Sequence, residues 1–276
     1  MPHPPVTALP RRRRLSARRW WRAPGFRASV ADVGDYRIHW LEAGEGSPPV
    51  VLLHGLSGSS RWWQRNVGAV AGRHRVVLPD VIGFGRSRCP GPLPDVPGLA
   101  EVLAGWAAGL GDGRVRLVGH SMGGQLAIHV AARHPELVER LVLVDAAGIP
   151  RPLTPRQMAR FAYEMTPPHR WGDPRFLPVI VGDALKAGAF TILRALRHIV
   201  RDDVRPLLAA IAAPTLVVWG ERDSIIPLEH GRRMRAAIPD ARLLVLKRAY
   251  HNPMVDRPEE FNAALLAFLD GAEVGE

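Results

Sequence analysis

The chain has 276 residues, 47% of them apolar, and a formal net charge of +11. That length suits one large α/β domain with an insertion or two small domains, and the one cysteine, Cys89, excludes an internal disulfide and a cysteine-based zinc site. The charge is local: Arg11, Arg12, Arg13, Arg14, Arg18, Arg19, Arg22 and Arg27 all precede the first acidic residue, Asp32, and these eight leave only +3 for the remainder, so no nucleic-acid partner is expected.

Residues 1–26 read as a basic, disordered tail rich in proline and arginine. With Trp20 and Trp21 beside the arginines, the tail leaves weak contact with an anionic membrane surface open. No apolar stretch and small-residue cleavage site follow the paired arginines, and no apolar run reaches the roughly 20 residues of a bilayer-spanning helix. A cytoplasmic protein is the expectation.

From Arg27 onward, short β-rich runs alternate with helical ones. Ala28–Val33 and Tyr36–Glu42 read as an antiparallel pair turning at Gly34-Asp35, and Val50–Leu53 reads as a strand covered on both faces. Arg61–Ala71 is patterned as helix, Val76–Leu78 as strand, Cys89–Gly98 as a loop and Leu99–Leu110 as helix. A strand over Val115–Val118 leads through Ser121 into an alanine-rich helix that runs towards His134-Pro135, and Leu141–Val144 forms the next strand. After an interruption come the strand Thr215–Trp219, a helix near Leu228–Ile238, the strand Leu243–Leu246 and a final helix over Pro258–Leu269. Such alternation predicts an α/β fold: a mainly parallel twisted sheet with helices on both faces.

The interruption, 146–212, holds seven prolines between Pro150 and Pro178, with helical runs over Gln157–Glu164 and Ala184–Val200. It reads as a mostly helical cap inserted at the carboxyl edge of the sheet, where open α/β sheets bind ligands. The core then comprises 27–145 and 213–276.

Gly119-His120-Ser121-Met122-Gly123 places a serine between two glycines at a strand-to-helix turn, the layout of a nucleophile elbow. A serine hydroxyl is a weak nucleophile, so a base within hydrogen-bond reach and a carboxylate to orient that base are required. Asp223, in Gly220-Glu221-Arg222-Asp223, and His251, in Ala249-Tyr250-His251-Asn252-Pro253, each follow a predicted strand, and loops at that edge converge. Asp145 also ends a strand and rivals Asp223 as the acid. An anion site would use the backbone N–H of Met122, after the nucleophile, and that of Leu56 in His54-Gly55-Leu56-Ser57-Gly58.

These motifs, with Asp80-Val81-Ile82-Gly83-Phe84-Gly85-Arg86-Ser87, resemble those of the α/β-hydrolase fold superfamily across about Arg27–Leu269. The resemblance implies Ser121 as nucleophile, Asp223 as acid and His251 as base. It also implies a serine esterase or lipase-like enzyme acting on a small-molecule ester with a small to medium apolar acyl group. Carbon–carbon bond cleavage of vinylogous diketones, acyl transfer to an alcohol or to peroxide, and a non-catalytic ligand-binding receptor are the alternatives within the same fold. No cofactor and no metal is implied. Tyr250 departs from the glycine that often precedes the histidine, and it could shape the pocket wall. His54 and His120 read as structural hydrogen-bonding residues, Asp80–Ser87 as a tight turn, Trp62 and Trp63 as core, and Arg151, Arg156, Arg160 and Arg170 as a solvated face.

Overall fold

Val50–Leu53 (β4) is apolar at all four positions, and every one is buried, because both faces of the strand are covered. Side chains alternate across a strand: Val51 and Leu53 join the apolar layer on one face, while Val50 and Leu52 join the layer on the other. The computed structural model describes residues 13–15, 25–111, 113–150 and 172–276.

The remaining strands are β1 (Arg13–Leu15), β2 (Arg27–Val33), β3 (Tyr36–Ala43), β5 (Val76–Pro79), β6 (Val115–His120), β7 (Val138–Val144), β8 (Thr215–Gly220) and β9 (Ala241–Leu246). They form one sheet in the order β1-β2-β3-β5-β4-β6-β7-β8-β9. β1, β2, β3 and β5 pair antiparallel in that order, and pairing is parallel from β5 through β4 to β9. The chain passes from β4 outward to β5 and then back to β6 on the other side, so the order reverses at β4. Open α/β sheets form their ligand crevice at the carboxyl ends of strands beside such a reversal.

The helices are α1 (Val67–Ala71), α2 (Val96–Ala108), α3 (Met122–Arg133), α4 (Leu177–Ala187), α5 (Ala189–Arg201), α6 (Arg205–Leu208), α7 (Leu228–Ala237), α8 (Pro253–Asp256) and α9 (Pro258–Leu269). On one face of the sheet, residues of α2, α3 and α7 bury Trp106, Leu126, Ile128 and Met234. On the other, α1 and α9 bury Val67, Val70, Phe261 and Leu265. Trp40 of β3 meets Trp106 of α2 edge to face at 5.5 Å, a geometry that suits the ring quadrupoles. None of the described helices is by itself long and apolar enough to cross a membrane.

Several expectations are refined. Arg13–Leu15 pair with Ala28–Val30 as an edge strand, unlike the disordered tail expected at those positions, while 1–12 and 16–24 lie outside the described residues. The helical run expected over Arg61–Ala71 is divided into a 3-10 turn at Ser60–Trp63 and the short α1. Asn66 between them is tied elsewhere, its amide donating to Met254 O and Asn262 Oδ1. α2 starts three residues before Leu99, because Asp95 caps it by accepting from Gly98 N at 2.9 Å and Pro97 suits the first turn. The expected run Ala184–Val200 breaks at Gly188, whose φ of +79° suits glycine, and the segments on either side meet at 98°. Gln157–Glu164, Arg151, Arg156, Arg160 and Arg170 lie outside the described residues.

Candidate active site

Parallel pairing places the ends of β4, β6, β7, β8 and β9 side by side, and each is followed by a residue singled out by its sequence. Leu53 registers with Gly119, so the loop after β4 and the turn after β6 start as neighbours. Ser121 sits on that turn at φ 53°, ψ −117°, outside the regions that L-residues ordinarily adopt. The flanking glycines answer to contact as well as strain. A Cβ at Gly119 would strike the carbonyl of Gly123, and one at Gly123 would lie 2.6 Å from His54 O and 2.7 Å from Leu53 O. At Gly124 it would lie 2.6 Å from Ala146 Cβ.

Ser121 Oγ lies 3.1 Å from His251 Nε2, and His251 Nδ1 lies 2.8 Å from Asp223 Oδ2. Partner chemistry assigns the protons: the carboxylate accepts from Nδ1–H, which leaves Nε2 bare to accept from the serine hydroxyl. Asp223 Oδ1 accepts from Ile225 N at 2.8 Å and Ile226 N at 3.0 Å, so the carboxylate is oriented before it meets the imidazole. Ser121, Asp223 and His251 are therefore brought together, with Asp223 and His251 buried.

Asp145 is close by but differently employed. Its Oδ1 accepts from Gly220 N at 2.9 Å, and its buried Oδ2 has no hydrogen-bond partner. Burial, reinforced by the nearby charge of Asp223, pushes its carboxyl well above the usual carboxylate range. The imidazole Nδ1 is already taken by Asp223.

Met122 is the first residue of α3, so its N–H has no partner within the helix. Leu56 lies in a turn closed by Gly58 N donating to Gly55 O at 3.1 Å, and a Cβ on Gly55 would meet Ser121 Cβ at 3.1 Å. The loop that carries Leu56 therefore passes against the serine, and both amides belong to the segments enclosing it.

The two flanking histidines have structural partners. His54 Nε2 accepts from Val81 N at 2.8 Å, so its proton is on Nδ1 and donates to Gly55 O at 2.8 Å. Burial outweighs the attraction of Asp80 and lowers its basicity. His120 Nε2 donates to the His251 carbonyl at 2.7 Å, tying the turn that carries Ser121 to the loop that carries His251. Burial and the adjacent His251 lower His120 well below an ordinary histidine. In space His120, Asp145 and His251 bring potential ligand atoms within 4.8 Å of one another, a proximity that sequence spacing could not reveal. Both ring nitrogens of His251 are already engaged with Ser121 and Asp223.

Asp80 accepts from Ser60 N at 2.7 Å and Arg86 N at 2.8 Å, closing the turn 80–87 around Gly85, where a Cβ would strike the Asp80 carboxylate. Burial opposes its ionisation, but His39, whose Nδ1 lies 3.4 Å from Oδ2, the nearby His54 and the Ser60 amide hold it down at about 2. Trp62 and Trp63 are buried, and Trp62 meets the His120 ring at a tilt and the Phe176 ring edge to face, at centroid distances of 5.6 and 5.8 Å. The Tyr250 departure leaves the histidine in place: Asp256 Oδ2 accepts from Tyr250 N at 2.8 Å and holds the loop.

Two supporting groups carried no sequence signal. Ser59 Oγ donates to Asp183 Oδ2 of α4 at 2.6 Å, linking the Leu56 loop to a helix 124 positions away. Gln125 Nε2 donates to Asp202 Oδ2 at 2.7 Å, and His129 Nε2 lies 2.8 Å from the same oxygen, fastening the end of α5 to the helix that follows Ser121.

The chain matches the profile of the Alpha/beta hydrolase family over residues 50–264. It is 32% identical to 2-hydroxy-6-oxo-6-phenylhexa-2,4-dienoate hydrolase of Comamonas testosteroni, over 87% of this chain and 94% of that protein. Among solved structures, a bacterial membrane phospholipase A described as a virulence factor superposes with a TM-score of 0.78 at 30% identity, covering 90% of this chain and 86% of that one. A thermophilic esterase from Thermogutta terrifontis gives 0.74 at 26% identity, covering 94% and 98%. On the match to the family profile and the shared fold, the chain belongs to the alpha/beta hydrolase family and is a hydrolase.

Proposed function

We propose that the protein hydrolyses carboxylic esters of small to medium apolar acyl groups through an acyl-enzyme on Ser121. The observation that carries this reading is the hydrogen-bonded series from Ser121 Oγ through His251 to Asp223 at 3.1 and 2.8 Å. As Ser121 attacks the ester carbonyl, His251 Nε2 takes its proton, and Asp223 holds the tautomer and stabilises the imidazolium. The N–H groups of Met122 and Leu56 receive the developing oxyanion. The imidazolium returns its proton to the leaving alcohol, and water, activated by the same nitrogen, releases the acid. Residues 146–212 act as the cap that shapes the acyl pocket, over a core of 27–145 and 213–276. The links from Asp183 to Ser59 and from Asp202 to Gln125 support that arrangement.

Similarity to the Comamonas hydrolase favours a second reading, cleavage of a carbon–carbon bond in a vinylogous diketone by the same residues. p-Nitrophenyl esters of rising chain length, assayed beside one vinylogous diketone, separate the two. A fluorophosphonate should label the parent chain, while Ser121→Ala should lose both labelling and turnover and keep its fold. Full ester hydrolysis by Ser121→Ala would overturn the mechanism.

A further inference from the structure

We propose that the outer face of α4 and α5 is a docking surface for an anionic lipid bilayer. Single exposed leucines are ordinary on any protein surface, but contiguous apolar patches mark contact sites. Here the large hydrophobic side chains most exposed among the described residues, Val181, Leu185, Phe190, Leu193 and Val200, all belong to these two helices. Leu185 (79% exposed) and Phe190 (78%) flank the bend at Gly188, and Leu193 (64%) follows Phe190 by one turn, so together they form an apolar apex.

The inward face is accounted for. Ala195 of α5 is buried in the core, Ile199 O accepts from Gln125, and Asp183 of α4 is bonded to Ser59. The outward face of α5 presents Phe190, Leu193 and Val200 interleaved with Arg197 and Arg201, and Arg194 lies over the Phe190 ring at 5.6 Å. From Leu177 to Arg201 the cations are Lys186, Arg194, Arg197 and Arg201, and the one acidic residue is the inward Asp183. A helix that is apolar on one side, bordered by arginines and free of outward acids, is built to lie in the headgroup region of an anionic membrane. A protein partner would need its own acidic rim around an apolar socket. A bilayer of anionic lipid supplies both features everywhere.

Co-sedimentation of the full chain with vesicles tests this, using phosphatidylcholine alone and phosphatidylcholine mixed equally with phosphatidylglycerol. The parent should partition onto the mixed vesicles and much less onto the neutral ones. Leu185→Ser/Phe190→Ser/Leu193→Ser should lower that partition at least ten-fold while the circular dichroism spectrum and Tm stay those of the parent, which reports a correct fold. Arg194→Glu/Arg197→Glu, a second route should the triple variant fail to fold, should lower partition onto the mixed vesicles only. Both variants are compared again with Arg11, Arg12, Arg13, Arg14, Arg18, Arg19 and Arg22 replaced by glutamine, to remove attraction by the N-terminal charge. The proposal is overturned if the parent does not bind, or if the apolar variant binds as the parent does in that background. It is equally overturned if the parent is a dimer that these substitutions dissociate, which would assign the face to a second copy.

Discussion

Gly123→Ala sets two effects of opposite sign against each other. Alanine is the better helix former, by about 1 kcal/mol in a helix interior, and Gly123 lies in the first turn of α3. Its new Cβ, however, would stand 2.6 Å from His54 O and 2.7 Å from Leu53 O, both backbone atoms at the end of a buried strand. Ordinary contact begins near 3.4 Å, so α3 and β4 must separate by about 0.8 Å, and no flexible side chain is there to yield. Overpacking of this kind costs about 1–3 kcal/mol, so the net expectation is a loss of up to about 2 kcal/mol. For a chain of this size that lowers Tm by several degrees, at about 2–4 °C per kcal/mol. Activity should suffer more, because the same displacement moves the Met122 amide away from the Leu56 loop, and a misplacement near 1 Å can cost about 10²-fold. Thermal melting and kcat/KM on a p-nitrophenyl ester measure both. Gly68→Ala is the control: a Cβ there meets nothing within 4 Å, so the propensity gain of about 0.5–1 kcal/mol should appear alone. A Gly123→Ala variant with parental Tm and kcat/KM would refute the steric argument.

The two carboxylates near His251 should separate cleanly under isosteric substitution. Asp223→Asn should lower kcat by as much as about 10⁴, because the imidazole loses the acceptor that sets its tautomer. Asp145→Asn should stay within a few fold of the parent, since the amide oxygen still accepts from Gly220 N and His251 Nδ1 keeps Asp223; steady-state kinetics showing the reverse order would reassign the acid. Asp80 predicts an acid limb of stability. Its folded pKa, at about 2, lies below the unfolded carboxylate value near 3.9, so its contribution is present above about pH 4 and is lost as pH falls through 2. The shift corresponds to on the order of 2 kcal/mol, so chemical denaturation should find Asp80→Asn less stable than the parent at pH 7, with the difference shrinking between pH 4 and pH 2.

What could be read from the chain was whatever is encoded locally. Alternating strand and helix periodicity announced the sheet, and the run Val50–Leu53 announced a strand covered on both faces. Gly119 and Gly123 announced a turn too tight for side chains, and strand-end positions picked out Asp223 and His251 as partners for Ser121. Helix boundaries were less legible, because Asp95 and Gly188 act through single capping and hinge geometries that a periodicity blurs.

Other outcomes rest on distances between segments remote in sequence, and only the tertiary structure decided them. Asp145 and Asp223 both follow strands, and the sequence favoured Asp223; in the structure His251 Nδ1 points at Asp223, while Asp145 is buried against Gly220 with its second oxygen unpaired. His120 became a brace for the base loop because His251 O happens to lie 2.7 Å away. The exposed apex of α4 and α5 shows the same limit from the opposite side. Leu185, Phe190 and Leu193 belong to the helical run expected over Ala184–Val200, and the packing of Ala195 and Asp183 inward leaves them facing out. Hydrophobic period tells which residues share a face. It does not say which face the fold covers.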